Sequence, residues 1–213
     1  MMFTEGIVLG HHISGDGIKV DKSKVEVISK LPIPNCQKDA RSFLGFTRYY
    51  RRFIENFTKV TSPLFKLLTK DCEFKWSPNC QSVFEALKIR ISEAPILRGP
   101  NWKLLFHIST DALDTTLGAV LGQKNLVPYA IYYTNKILTP TELNYTVIEK
   151  EFLVVVHVIN KFRHYITGYE NFIHTNRSAI RYLMNKLVTN GRVTRWLLLL
   201  QEFNIIVLER PGK

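Results

Sequence analysis

Apolar positions along this chain change period several times, and the changes outline its elements. Leu104-Leu105-Phe106-His107-Ile108 is a short apolar run that reads as a buried strand. Leu117–Leu121 and Val127–Tyr133 read as two more, with Gly118 at a close packing point in the second. Earlier, Ile7-Val8-Leu9 and Ile18-Lys19-Val20 flank Ser14-Gly15-Asp16-Gly17, which predicts a hairpin over Gly6–Asp21. Helical spacing takes over between these strands. Asp39–Phe57 carries Phe43, Leu44, Phe46, Tyr50, Phe53, Ile54 and Phe57 three or four apart, which predicts one long helix. Shorter helices are expected over Ser23–Leu31, ended by Pro32 and Pro34, and over Thr61–Leu68. Pro78–Ala94 should turn Val83, Phe84, Leu87, Ile91 and Ala94 inward.

Glu149–Phe162 is apolar almost all round, and four valines give it strand propensity too. Acidic residues open it and basic residues close it, which matches the macrodipole, so it is read as a buried helix. Asn171–His174 and Ile205–Leu208 are strand candidates, and Ser178–Asn185 and Val193–Phe203 helix candidates. The order implies a mixed α/β (α+β) layer fold with a mixed sheet.

Composition narrows the class. The chain has 213 residues, 46% of them hydrophobic, enough for one large or two small packed domains. Its formal net charge is +11, which favours an anionic partner such as nucleic acid. Both parts are basic: residues 1–72 carry 12 Lys+Arg against 7 Asp+Glu, and residues 73–213 carry 17 against 11. Cys36, Cys72 and Cys80 form no metal or disulfide spacing, so reduced thiols and an intracellular, cytoplasmic or nuclear, home are expected. The N-terminus lacks a signal-peptide pattern, and the longest apolar run, Phe152–Ile159, is too short to span a bilayer. No membrane partner is expected.

Two groups of residues carry candidate chemistry. Asp111 and Asp114 follow the first strand of the 104–123 stretch, and either solvate a hairpin turn or aim a carboxylate into a cleft. These twenty residues alone favour the turn. Arg41, Arg48, Arg51 and Arg52 are interleaved with Tyr49 and Tyr50 in the Asp39–Phe57 helix. That mixture suits phosphate contact with stacking, or else marks a solvated basic face. Arg41, Gly45 and Tyr49, four apart, should share one face, where a small Gly admits a duplex backbone or a packed helix.

At this point the residues resemble a known family. LGHHISG (9–15) and RSFLGFTRYYRRFIENF (41–57) look like the segment after the polymerase site in reverse transcriptases of Ty3/gypsy-type LTR retrotransposons. FKWSPNCQSVFEALK (74–88), TDALDTTLGAVLGQ (110–123), NYTVIEKEFLVVV (144–156), KFRHYITG (161–168) and RWLLLLQEF (195–203) match further on, in order. The likeness runs nearly end to end and is nearest in feel to plant elements. It implies part of a Pol polyprotein: a reverse-transcriptase thumb-like segment over 1–72, then an RNase H-like domain over 73–213. Such thumbs track the minor groove with an equivalent helix, which assigns Arg41, Gly45 and Tyr49, with Arg48 and Arg52, to nucleic acid.

The resemblance further implies cleavage of the RNA strand of an RNA:DNA hybrid by two Mg2+ ions held by four carboxylates. Mapped by motif, the first is Asp111, in Asp-Ala-Leu where the family has Asp-Ala-Ser, and the second is Glu151. Glu149 fits a helix N-terminal charge better. The third position departs: where the family reads Thr-Asp-His, this chain reads Thr175-Asn176-Arg177. The fourth carboxylate follows Pro-Gly-Lys in the family, and the chain ends at Pro211-Gly212-Lys213. The polymerase motif precedes this region in the family. Together with an initial Met-Met, these features suggest a truncated element that is expected to be inactive. Asn176→Asp alone is not expected to restore cleavage; with a family-like C-terminal extension it could. A non-catalytic hybrid-binding module and a residual nuclease using Asp111 and Glu151, helped by Asp114, are the alternatives.

Overall fold

The structure, a computed structural model, describes residues 4–69, 73–175 and 191–209. Asn176, Cys72 and the helix expected at Ser178–Asn185 lie outside these.

The N-terminal hairpin has three strands, not two. β1 (Glu5–Val8), β2 (His11–Ser14) and β3 (Gly17–Val20) form an antiparallel meander. The added turn is Leu9-Gly10, with φ of 49° and 70° at its two central residues, and Val8 pairs with His11 across it. Two positive φ values make the tight turn whose twist suits a hairpin. Gly17, at φ 132°, leaves no room for a Cβ, which would meet the Leu97 carbonyl oxygen at 2.3 Å. Ile18 and Leu97 exchange backbone hydrogen bonds there, of 2.8 and 2.9 Å.

α1 (Lys22–Ser29) starts at Asp21, whose carboxylate accepts from the Ser23 amide. α2 is shorter than its apolar spacing suggests. It spans Gln37–Tyr49, and a 3-10 turn (Arg51–Phe53) follows. Tyr50 and Phe53 are buried and leave the helix to pack around the His11 ring, with centroids 5.6 and 5.7 Å away. Tyr50 also donates to the Gly10 carbonyl at 3.1 Å. α3 (Phe57–Lys66) and α4 (Pro78–Ser92) complete this part, and α4 packs on α1 and α3. Of the expected inward set of α4, Phe84, Leu87 and Ile91 are buried, with the Phe43 ring 4.5 Å from that of Phe84, whereas Val83 is half-buried and Ala94 lies beyond the end of the helix. Lys88 donates to the carbonyls of Ser29 and Leu31, at 2.9 and 2.6 Å, at the end of α1.

The second sheet has five strands: β4 (Phe106–Ala112), β5 (Thr116–Lys124), β6 (Pro128–Ile137), β7 (Glu170–Thr175) and β8 (Asn204–Glu209). Their spatial order is β6-β5-β4-β7-β8. The β4–β5–β6 pairs are antiparallel, and the β4–β7 and β7–β8 pairs parallel, so the sheet is mixed as expected. After the short α5 (Pro140–Leu143) comes α6 (Val147–Ile166), which is helical and buried on most sides. Thr146 caps it, and Glu149 closes a capping box: its carboxylate accepts from the Thr146 amide at 2.9 Å. Arg163 and His164 fill its last turn. α7 (Gly191–Gln201) packs beside α6, with the Phe152 ring 5.8 Å from that of Trp196.

The chain divides into two compact units, Met1–Gly99 and Pro100–Lys213. The sequence reading places the boundary at residues 72 and 73, whereas the packing of α4 on α1 and α3 keeps α4 with the first unit.

Candidate active site

Burial alternates along β4 and β7 and assigns faces. Phe106, Ile108 and Thr110 are buried, as are Asn171, Ile173 and Thr175, while His107, Ser109, Asp111, Phe172 and His174 are half-buried. Asp111 is therefore a strand residue, paired with the buried Gly118 of β5. Asp114 sits in the turn between β4 and β5 and is exposed. The turn explanation thus holds for Asp114 and not for Asp111.

Glu151 lies on α6 and is 5% exposed. A carboxylate so placed is costly unless a cation or hydrogen-bond donors meet it. Chain topology brings it to the Asp111 end of the sheet. β4 and β7 run parallel, β6 ends opposite the start of β5, and α6 begins ten residues after β6. At the other end of α6, the Ile166 carbonyl accepts from the side chain of Asn171, which is in β7. One direct tie fixes the near end: the Lys150 ammonium donates to the Asp114 carbonyl at 3.1 Å. Glu149 also pairs with Arg192, whose guanidinium lies 4.0 Å from the Tyr145 ring centre. This clamp joins the starts of α6 and α7.

Among the described residues no three His, Cys, Asp or Glu side chains cluster closely enough to hold a metal ion. Asp111 and Glu151 remain as two hard oxygen donors at one end of the sheet. Carboxylate oxygens of this kind are the ligand type that Mg2+ takes.

In the first unit, Arg41, Gly45 and Tyr49 are all exposed on α2, as are Arg48 and Phe46. A Cβ built on Gly45 meets nothing within 4 Å, so helix packing is not what makes this glycine small. The face borders an apolar groove of about 680 Å³ lined by Leu9, Val27, Gly45, Phe46 and Tyr49. Tyr49 also donates to the Leu9 carbonyl, which joins α2 to the first turn. Arg52 lies beyond the end of α2, half-buried in the 3-10 turn near His11. The helix break therefore separates it from Arg41 and Arg48.

A profile for RNase H-like domains found in reverse transcriptase matches residues 101–203. Along 98% of its length the chain is 36% identical to the retrovirus-related Pol polyprotein from transposon 297 of Drosophila melanogaster. The chain belongs to the retrotransposon Pol polyproteins. Another relative is the transposon Tf2-3 polyprotein of Schizosaccharomyces pombe, 33% identical over 96% of this chain. This Pol segment spans 20% of the first of these polyproteins and 16% of the second. Among solved structures, the foamy viral protease-reverse transcriptase dRH in complex with double-stranded DNA superposes with a TM-score of 0.81. Identity is 20%, and the match covers 98% of this chain and 38% of that one. The foamy viral enzyme in complex with an RNA/DNA hybrid gives 0.78, also at 20% identity, over 97% of this chain and 29% of that one. Both share the fold of the Pol segment.

Sequence reasoning missed the histidines around this site. His107 Nδ1 lies 2.9 Å from His174 Nε2, across adjacent parallel strands. The clue available in sequence was strand alternation, which puts both on one face. Burial holds the pKa of His11, His107 and His157 below the ordinary imidazole value, helped by Arg52, by Lys124, and by Lys136 with Lys161 respectively. A depressed folded-state pKa means that the native state binds fewer protons than the unfolded chain. The stabilisation is complete above about pH 6.5 and is lost as pH falls toward the folded values. Denaturant titrations from pH 7.5 to 5.5 should therefore show falling stability, with a shallower slope in His157→Gln. An equal slope in that variant would contradict this assignment.

Proposed function

We propose that this Pol segment is a nucleic-acid-binding module in which an RNase H-like domain engages an RNA:DNA hybrid with weak or no catalysis. Glu151 is the observation that carries the reading: a carboxylate kept buried on α6, at the end of the sheet that bears Asp111. A carboxylate held at that position is suited to cation and substrate binding. Asp111 and Glu151 would hold one Mg2+, which supplies Lewis-acid stabilisation of a phosphate oxygen when bound. At the third position Asn176 brings a neutral amide oxygen in place of a charge, and Arg177 adds a positive charge next to it in sequence. A two-ion arrangement is not supported by that set. The Lys150–Asp114 and Arg192–Glu149 ties position the start of α6, and with it Glu151.

The first unit acts as a thumb-like element in this reading. Arg41 and Arg48 supply charge, Tyr49 a flat apolar surface, and Gly45 room for a duplex backbone. The structural neighbours whose solved complexes hold double-stranded DNA or an RNA/DNA hybrid support this partner class.

Binding of a labelled hybrid and of double-stranded DNA, read by fluorescence anisotropy across a salt series, tests the proposal. The expected result is sequence-independent affinity with Kd on the order of 10⁻⁴–10⁻⁶ M at physiological salt, weakening steeply as salt rises. Arg41→Ala with Tyr49→Ala should weaken it about tenfold, one phosphate contact and one apolar contact being lost. No binding at low salt would sink the proposal.

A further inference from the structure

The solvent side of α6 carries a pattern that the chemistry above leaves unused. Lys150, His157, Lys161 and His164 follow one another at spacings of seven, four and three residues. At 3.6 residues per turn, those spacings keep all four within an arc of about 60°. They form one stripe, about 21 Å long at 1.5 Å of rise per residue. Lys161 and His164 are exposed, and Lys150 and His157 are half-buried.

The positive charge of this stripe is not cancelled locally. No Asp or Glu occurs from Phe152 to Tyr169. The two acids nearest the start of the helix are engaged elsewhere: Glu149 caps α6 and holds Arg192, and Glu151 is buried. The Lys150 ammonium donates to a backbone carbonyl, that of Asp114, which leaves its charge in place. Lys161 lies over the Tyr132 ring, 5.6 Å from its centre. Two cations beside the stripe are paired instead, Lys136 with Glu142 at 2.5 Å and Arg163 with Glu202 at 2.6 Å. Tyr132 belongs to β6, the edge strand of the sheet, so the stripe runs along that edge. It starts at the end of α6 that bears Glu151 and leads away from it.

We propose that this stripe is a phosphate track, holding the sugar–phosphate backbone of one nucleic-acid strand alongside α6. A duplex strand carries one phosphate per roughly 3.4 Å of axis, so the stripe matches about six of them. Ammonium groups act as point charges and imidazole N–H groups as donors, and neither needs a base edge, so the contact is independent of sequence. The track lies in the other unit from the Arg41–Tyr49 face of α2. It requires no metal and no cleavage, and rests on the reading above only for the class of partner.

The test uses the full chain and a fluorescein-labelled RNA:DNA hybrid, with affinity read by anisotropy across a salt series. Lys161→Glu should weaken binding about tenfold at low salt and lower the salt slope by about 1, as loss of one phosphate contact does. Lys161→Arg keeps the charge and should bind like the unmodified chain. Lys66→Glu, at an exposed position on α3, alters the net charge by the same amount and should change affinity less than about twofold. Lys161 and Lys66 are both exposed, so neither reversal disturbs packing, and circular-dichroism melts check this. Affinity and slope unchanged in Lys161→Glu, or a loss no larger than that of Lys66→Glu, would overturn the track. Loss in Arg41→Ala with Tyr49→Ala but none in Lys161→Glu would sink the track and leave the reading of the first unit standing. A hybrid that does not bind at low salt would sink both. Displacement of the hybrid by oligo-glutamate as readily as by unlabelled hybrid would overturn the track and assign the stripe to an acidic protein segment.

Discussion

Incubated with Mg2+ and an end-labelled RNA:DNA hybrid, the chain is expected to bind the hybrid and leave its RNA strand intact. Two candidate ligands, Asp111 and Glu151, stand at one end of the sheet, and no cluster of three potential ligands forms among the described residues. Mg2+ binds through one or two carboxylates when substrate phosphate completes its shell, so binding of one ion with substrate is compatible with this set. Hydrolysis asks for more: charge placed to steady both the attacking and the leaving oxygen. At the position where the family pattern has its third carboxylate, the sequence has Asn176, which is neutral. Removing a single preorganised stabilising group elsewhere costs on the order of 10²–10³ in rate. Cleavage is thus expected at least that far below a domain with all its carboxylates. Gel analysis of the labelled strand decides the matter. Mg2+-dependent cleavage by the unmodified chain, abolished by Asp111→Asn, would show a working nuclease.

Phe152→Ala should destabilise the chain more than any change at the surface, by about 3–5 kcal/mol. Phe152 is fully buried, in the core that α6 shares with the sheet, and its ring meets Trp196 of α7. Truncation leaves a cavity in the core that α6, α7 and the sheet share. Glu151 is its neighbour in sequence, so loosening here should also blur the placement of the candidate ligand. Urea unfolding followed by circular dichroism would measure the loss. A change under about 1 kcal/mol would mean that the α6–α7 contact contributes little to the folded state.

Much of this architecture is legible in the sequence because it depends on local rules. α6 could be read as a helix despite its valines: Thr146 and Glu149 cap one end, and Arg163 and His164 complement the other. The strands at 104–123 follow from apolar runs bounded by polar turns. The likeness of the chain to Pol polyproteins was readable for the same reason, since its motifs are short contiguous stretches. Asp111 and Glu151 could be singled out through that resemblance, although their spacing of 40 residues gives no physical hint of proximity.

Other features were settled only by contacts between distant residues. The apolar spacing continues through Phe57, yet α2 stops at Tyr49, because Tyr50 and Phe53 gain more by packing around His11 and Gly10 than by continuing the helix. The first turn of the meander rests on positive φ at Leu9, a residue whose type does not announce it. Parallel pairing of β4 with β7 brings together residues 67 apart and sets His107 Nδ1 beside His174 Nε2. The sequence by itself determined the elements, the family and the candidate carboxylates, since each rests on neighbours along the chain. Where α2 ends, which aspartate lies in the strand, and which side chains share a sheet face were decided by tertiary structure. Those outcomes depend on burial and hydrogen bonds between segments that the linear pattern leaves uncoupled.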